Sequence, residues 1–248
     1  MKIQPYINVK LFGLDFILMQ PSSTIFVYLL GIITIAIGIY FLKISKNNKS
    51  RKWWGFALLF WGFGALSAGT SYQAFSYEIK CAGKDFCSWT SWWEIYYILL
   101  TAASISSMLI AFSFTCLKWK WKKALLYYAI FSFLIFSFLL MFGAFTLSKF
   151  LISFEFLLVF AFPNIVILFI ISFFRYFKTK NKMDFYFIIT WIWLAIVITL
   201  YFSYLILGFT DVLWKNGFWF SENDVLHIAL ISWMFFIAFK LSKEIKDA

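Results

Sequence analysis

Seven long apolar stretches, separated by short polar segments, dominate the pattern of this chain. Each is close to the roughly 20 residues that a helix needs to cross a bilayer, and none alternates like the strands of a membrane barrel. Helices also satisfy their own backbone hydrogen bonds in lipid. The pattern therefore predicts seven transmembrane helices. The predicted spans are Thr24–Leu42, Trp53–Ser76, Trp92–Cys116, Ala124–Phe145, Leu151–Phe174, Phe185–Leu207 and Asp224–Leu241.

The two ends of the chain complete the predicted domain organisation. Residues 1–22 contain only a short apolar run, which includes Asp15 and has no small-residue cleavage site, so they do not match a signal peptide. We expect residues 1–22 to lie along the membrane surface, residues 23–241 to form one transmembrane domain, and residues 242–248 to form a cytoplasmic tail. The predicted fold class is all-α, a seven-helix integral membrane bundle.

Composition supports a lipid environment. Hydrophobic residues make up 63% of the 248 residues and charged residues only 13%, against roughly 25% charged residues in soluble domains. The net charge of +11 could indicate nucleic-acid binding, but the basic residues are confined to short loops between the apolar spans. We therefore expect the lipid bilayer, and no nucleic acid, as a partner.

The placement of charge predicts the orientation. Most of the 22 basic residues lie in the loops after spans one, three, five and seven, whereas most of the 11 acidic residues lie at the opposite ends of the spans. The positive-inside rule then places the N-terminus outside and the C-terminus in the cytoplasm, in what we expect to be a bacterial inner membrane. Any polar site is expected to face outward.

The start of the last span, Ser221–His227, contains the only histidine of the chain. Asn223 and Asp224 precede His227 by four and three residues, so the three side chains share one face of a helix. Ionisable groups inside a membrane often mark a functional site. The alternative is structural, because acidic residues complement a helix N-terminus and either Ser221 or Asn223 could cap it.

Polar side chains at a similar depth occur on three other spans. Glu94 and Tyr97 share a face of span three with Thr101, Gln73 is near the outer end of span two, and Glu155 is near that of span five. If spans two, three and seven adjoin, an outward pocket forms. Its catalytic candidates are His227, Asp224 and Glu94. Its ligand-binding candidates are Gln73, Tyr97, Asn223 and Glu155.

Two further features concern the shape of the chain. Cys81 and Cys87 share an outer loop in an oxidising compartment, which predicts a disulfide bond, while Cys116 on the cytoplasmic side is expected to stay reduced. Pro163 in the middle of span five removes a backbone donor and predicts a kink.

Three spans together show a resemblance. Ser71 or Ser76, Glu94, and the pair Asn223 and His227 resemble the serine, acid and helix-seven motif of the alkaline ceramidase and adiponectin-receptor superfamily of membrane hydrolases. The resemblance implies hydrolysis of a lipid-like substrate at a metal ion. That superfamily uses three histidines, so its zinc site cannot form here. Any metal site would instead hold one divalent ion on His227, Glu94 and Asp224.

The stretches from Ser71 to Gly83 and from Asn223 to His227 also resemble an uncharacterised bacterial seven-helix membrane family. The sequence thus leaves several functions open. One is a hydrolase of lipid-like substrates. The alternatives are a non-enzymatic binder, sensor or transporter for a small ligand or ion, and a subunit of a larger membrane complex. No inverted repeat is evident, which argues against the transporter.

Overall fold

The protein, seen in a computed structural model, is described over residues 4–11 and 13–248, so the predicted surface segment 1–22 falls partly outside the described residues. Most of the described chain is helical, which confirms the all-α class. The principal helices are α1 Pro21–Ser45, α2 Lys49–Ala68, α3 Ser76–Lys80, α4 Trp92–Cys116, α5 Trp119–Thr146, α6 Phe154–Thr179, α7 Lys182–Ile206, α8 Phe209–Lys215, α9 Glu222–Phe236 and α10 Ser242–Glu244.

A β-hairpin precedes the helices, where the sequence predicts only a surface segment. Strands β1, Tyr6–Leu11, and β2, Leu14–Met19, pair antiparallel with Val9 opposite Phe16. Polar residues alternate with apolar ones along β1, the pattern of a half-buried strand. The turn contains Gly13 at φ 81°, a conformation that glycine adopts without steric cost. The hairpin reaches the bundle because the Ile17 N–H donates to Glu78 Oε1 at 3.1 Å.

Six helices of the described chain are long and apolar enough to cross a membrane: α1, α4, α5, α6, α7, and α9 with the residues that continue it to Glu244. The chain is therefore multi-pass and membrane-like. The second predicted span divides into α2 and a π-helical segment, Gly69–Ala74. Because α2 starts with Lys49, Arg51 and Lys52, its mean hydropathy is lower than that of the six. α6 continues through Pro163 without interruption.

Glycines let α1 and α2 pack closely in antiparallel directions. A Cβ built on Gly38 would lie 3.1 Å from the carbonyl oxygen of Gly55, and one built on Gly55 would lie 3.1 Å from that of Gly38. Small residues permit such contact between membrane helices, where packing rather than burial from water drives association. α2 also contacts α4, so α2 lies between two membrane-length helices.

The core contains large aromatic side chains contributed by different helices. Trp54 is fully buried and stacks on Phe187 and Trp191 of α7, with ring centroids 6.1 and 6.4 Å apart. Trp233 of α9 lies against Trp61 of α2. These contacts link α2, α7 and α9 on one side of the bundle.

At the end of the bundle where α1 finishes, two carboxylates hold the helices together. Asp184 is fully buried, accepts from Arg175 Nε at 3.0 Å, and Arg175 also donates to the carbonyl oxygen of Cys116. Asp247 accepts from the backbone N–H groups of Lys49 and Ser50 at 2.9 and 2.8 Å. The chain's last residues thus cap the N-terminus of α2.

Candidate functional site

The predicted site residues lie near the other end of the bundle, where α1 and α9 begin. Asp224 is fully buried, and its Oδ2 accepts from the Ser221 backbone N–H at 2.5 Å and from Ser22 Oγ at 3.3 Å. Ser221 is the N-cap and forms a capping box with Asp224. Of the two predicted caps, Ser221 takes the position. Asp224 therefore links the starts of α1 and α9 and makes no hydrogen bond to His227 within the described residues.

Glu94 belongs to a second polar network, at the start of α4. Its Oε1 accepts from Ser71 Oγ at 2.9 Å and pairs with Lys80 Nζ, and its Oε2 accepts from Thr90 Oγ1 at 2.9 Å. Ser71 lies in the π-helical segment and is fully buried, with its Oγ 2.6 Å from that of Ser91. Of the two serines that the superfamily resemblance named, Ser71 and Ser76, it is Ser71 that donates to Glu94. The charge of Glu94 is balanced by Lys80.

His227 lies apart from both networks, one turn deeper along α9. It is 7% exposed, and its Nδ1 has no hydrogen-bond partner among the described residues. The imidazole lines an interior cavity of about 180 Å³. The walls of this cavity come from α1, α2, α4, α6, α7 and α9. Most of the lining side chains are apolar, and the few with polar groups include Tyr97 and Thr101 besides His227.

Trp191 on α7 is a residue of this cavity that sequence reasoning missed. It is 2% exposed, and its indole Nε1 also lacks a partner in the described chain. By contrast, Trp233 Nε1 donates to the carbonyl oxygen of Thr190 at 2.8 Å. A signal was available in the sequence, because Trp191 lies inside a span rather than at its interfacial end, where tryptophans of membrane proteins concentrate.

The remaining predicted ligand-binding residues are dispersed. Tyr97 lines the cavity with His227 and packs edge-on against Tyr72, with ring centroids 6.1 Å apart. Gln73 is 5% exposed in the π-helical segment, with Oε1 unpartnered in the described residues. Asn223 is half-buried in the first turn of α9, and Glu155 is exposed in the first turn of α6. Only Tyr97 shares the cavity of His227.

The geometry bears on the chemistry that the site can perform. Within residues 4–11 and 13–248, no group of three or more histidine, cysteine, aspartate and glutamate side chains is placed to hold a metal ion. Glu94 and Asp224 are each engaged in their own networks. What remains beside His227 is a largely apolar cavity, lined by two side chains whose buried nitrogen atoms lack partners among the described residues. The predicted bond between Cys81 and Cys87 is formed, and Cys116 is free and buried.

Comparison with known proteins adds one family. A model of the DUF6962 family, described as a family of unknown function, matches residues 22–245. The matched region covers all six membrane-length helices except the first residue of α1. No match is found among curated proteins, and none among solved structures. The site must therefore be interpreted from its own residues.

Proposed function

Since the chain belongs to the DUF6962 family, which has no assigned activity, we propose from its geometry that it is a membrane receptor or binding protein for a small, uncharged ligand. The ligand binds in the cavity beside His227. One observation carries this proposal: two buried polar atoms, His227 Nδ1 and Trp191 Nε1, lack partners among the described residues and belong to side chains that line the same cavity. Leaving such a group unpaired costs about 1–3 kcal/mol. A ligand that pairs with them recovers that cost.

The size of the cavity defines the part of a ligand that it can hold. An engineered apolar cavity of roughly 150 Å³ binds benzene, and this one measures about 180 Å³. One ring or a short chain therefore fits. The wall contains no lysine, arginine, aspartate or glutamate in the described chain, so a charged group would be buried without a counterion, which is costly.

We propose seven spans, with α2 and its π-helical extension as the second. The support is the glycine contact that aligns α2 antiparallel to α1, and the position of α2 beside α4. With an odd number of spans, the basic loops lie on the cytoplasmic side and the N-terminus lies outside. In this arrangement His227 is one turn inside the outer surface, and the domain division at residues 22 and 241 follows the membrane boundaries.

The binding proposal is tested by fluorine NMR with para-fluorophenol, a ring of suitable size with one hydroxyl group. We expect saturable binding to purified protein in detergent, weakened at least about tenfold by Ala65→Phe, since Ala65 lines the cavity. If Ala65→Phe does not fold, Ala68→Leu serves instead, because it fills part of the same cavity with a smaller side chain.

The matched control is Ala124→Phe, because Ala124 is exposed on α5 and lines neither the cavity nor its surroundings. It should leave binding unchanged. Non-saturable partitioning, or equal binding by wild type and the cavity-filled variants, would refute the proposal.

Hydrolysis of a lipid-like ester is the second candidate, and the hydrogen bond of 2.9 Å from Ser71 to Glu94 favours it. In this version Glu94 is the base that activates the Ser71 hydroxyl. Hydrolysis of para-nitrophenyl octanoate would then be lost in Ser71→Ala and retained in Ser67→Ala, whose hydroxyl donates to the Phe63 carbonyl oxygen. Absence of hydrolysis by the wild type, or equal rates in the two variants, would exclude this candidate.

A further inference from the structure

A second cavity lies directly outside the one beside His227. It is a groove of about 1030 Å³ between α6 and α7, and apart from Thr199 its lining is apolar or aromatic. Val159 and Phe162 of α6 and Ile192 and Ile196 of α7 border it and are 46–71% exposed. Since both helices are membrane-length, these exposed apolar side chains face lipid, and the groove opens toward the hydrocarbon of the bilayer.

The groove and the interior cavity have lining residues in common. These residues contribute to the lining of each space, three from α6 and three from α7. The shared residues are Leu158, Ala161, Ile165, Trp191, Leu194 and Ile198. Trp191 is therefore placed at the boundary, with its indole N–H unpartnered in the described residues. A molecule lying in the groove is therefore next to the cavity, with these shared side chains at the boundary.

The volumes of the two spaces differ in a way that defines the occupant. The interior cavity is smaller than the roughly 300 Å³ at which pockets for complete drug-sized ligands begin, whereas the groove is at the upper end of that range, roughly 1,000 Å³. One molecule can use both if its polar end is compact and its tail is long and apolar. A hydroxyl group both donates and accepts, so it can donate to an unprotonated imidazole nitrogen of His227 or accept from Trp191 Nε1–H.

We propose that the ligand of the His227 cavity is an uncharged single-chain lipid, such as a long-chain alcohol, that arrives laterally from the bilayer between α6 and α7. Its hydroxyl end lies in the cavity and its hydrocarbon tail lies in the groove. This proposal rests on the proposed function, because it needs the cavity to be a binding site. It adds the class of ligand and the route of access.

The test uses protein in lipid nanodiscs and a hexadecanol probe with a photoreactive diazirine in mid-chain, followed by mass spectrometry of the labelled peptides. We expect labelling of α6 and α7, competed by unlabelled hexadecanol. Ala195→Trp should reduce labelling at least about tenfold, since Ala195 lines the groove but not the cavity. Ala124→Trp, the same substitution at an exposed site on α5, should leave it unchanged.

Two further arms separate the possible failures. The analogous hexadecanoate probe, with an ionised carboxylate, should label at least about tenfold less than the alcohol. Para-fluorophenol should still bind Ala195→Trp, because the cavity itself is unfilled. If para-fluorophenol binds the wild type but Ala195→Trp leaves hexadecanol labelling unchanged, or the carboxylate labels as well as the alcohol, the lateral lipid proposal is wrong. If para-fluorophenol does not bind at all, the proposed function fails first.

Discussion

Gly31 and Gly62 bring the backbones of α1 and α2 into direct contact. A Cβ built on Gly62 would lie 2.9 Å from the Gly31 carbonyl oxygen, and one built on Gly31 would lie 3.1 Å from that of Gly62. Seven residues further along α1, Gly38 makes the equivalent contact with Gly55 of α2, so the two helices touch at two levels. The pair positions α2, whose Ala65 and Trp61 form part of the cavity wall.

Gly62→Ala should destabilise the protein by about 1–3 kcal/mol, because the added methyl meets backbone atoms of α1 that cannot move independently. The control is Gly64→Ala on the same helix, where the nearest atom is Thr101 Oγ1 at 3.3 Å. There the helix propensity of alanine offsets the tighter contact. Thermal unfolding in detergent measures both, and equal stability of the two variants would contradict the glycine contact.

Asp184→Ala should cost about 3 kcal/mol, since it leaves the Arg175 guanidinium without its buried counterion. Asp15→Ala is the control, because the Lys10–Asp15 pair is exposed at both partners and should contribute little. The measurement is the free energy of unfolding of each variant relative to the wild type. A small effect at Asp184 would show that the network joining α4, α6 and α7 does not stabilise the fold.

Asp247 predicts a pH dependence at the C-terminus. Burial raises the pKa of Asp247, but hydrogen bonds from the Ser50 hydroxyl and from the N–H groups of Ser50 and Lys49 outweigh it, so that the pKa lies below its ordinary value. The stabilisation is therefore present above the unfolded pKa of about 3.9 and is lost as the pH falls through the lower folded value.

The cap that Asp247 forms on α2 should contribute about 0.5 kcal/mol to the free energy of unfolding, the low end for a helix cap, because the exposed carboxylate is screened by solvent. Hydrogen exchange of the tail, followed by mass spectrometry from about pH 5 to about pH 2, should show protection lost with acid in the wild type. Asp247→Asn should show weak protection throughout. A tail whose protection does not change with pH would contradict this role of the carboxylate.

The seven-span topology predicts which loops face the outside. Lys215 and Lys120 are both exposed and lie at opposite ends of the bundle. In intact cells, a membrane-impermeant maleimide should label Lys215→Cys directly and Lys120→Cys only after permeabilisation. Cys116 is buried and Cys81 is in a disulfide bond, so the native cysteines give little background. The reverse labelling pattern, or equal access to both, would refute the orientation.

The sequence predicted the helical architecture well, because membrane-length apolar runs leave the backbone few alternatives to a helix. It also predicted the disulfide bond between Cys81 and Cys87. It did not predict the hairpin at β1 and β2, although Asn8 and Lys10 alternate with apolar residues there. The apolar composition of the chain favours membrane helices, and a short surface strand changes that composition too little to be noticed.

The candidate site was harder to predict, because helical spacing gives the face of a residue but not its partner on another helix. Asp224 and His227 share a face of α9, yet Asp224 bonds to Ser22 of α1 and to its own helix cap. Trp191 and His227 are on different helices and line one cavity. That relationship depends on how α7 and α9 pack, and no pattern within one span contains it.

The central claim, a ligand cavity beside His227, is tested most directly at the imidazole itself. His227 is the only histidine, so nitrogen NMR of protein enriched in isotope-labelled histidine reports on this one side chain. Titration with para-fluorophenol should move its ring-nitrogen resonances saturably in the wild type and in Ala124→Phe, and leave them unmoved in Ala65→Phe. Resonances that stay fixed in the wild type, or that move equally in all three proteins, would contradict the account.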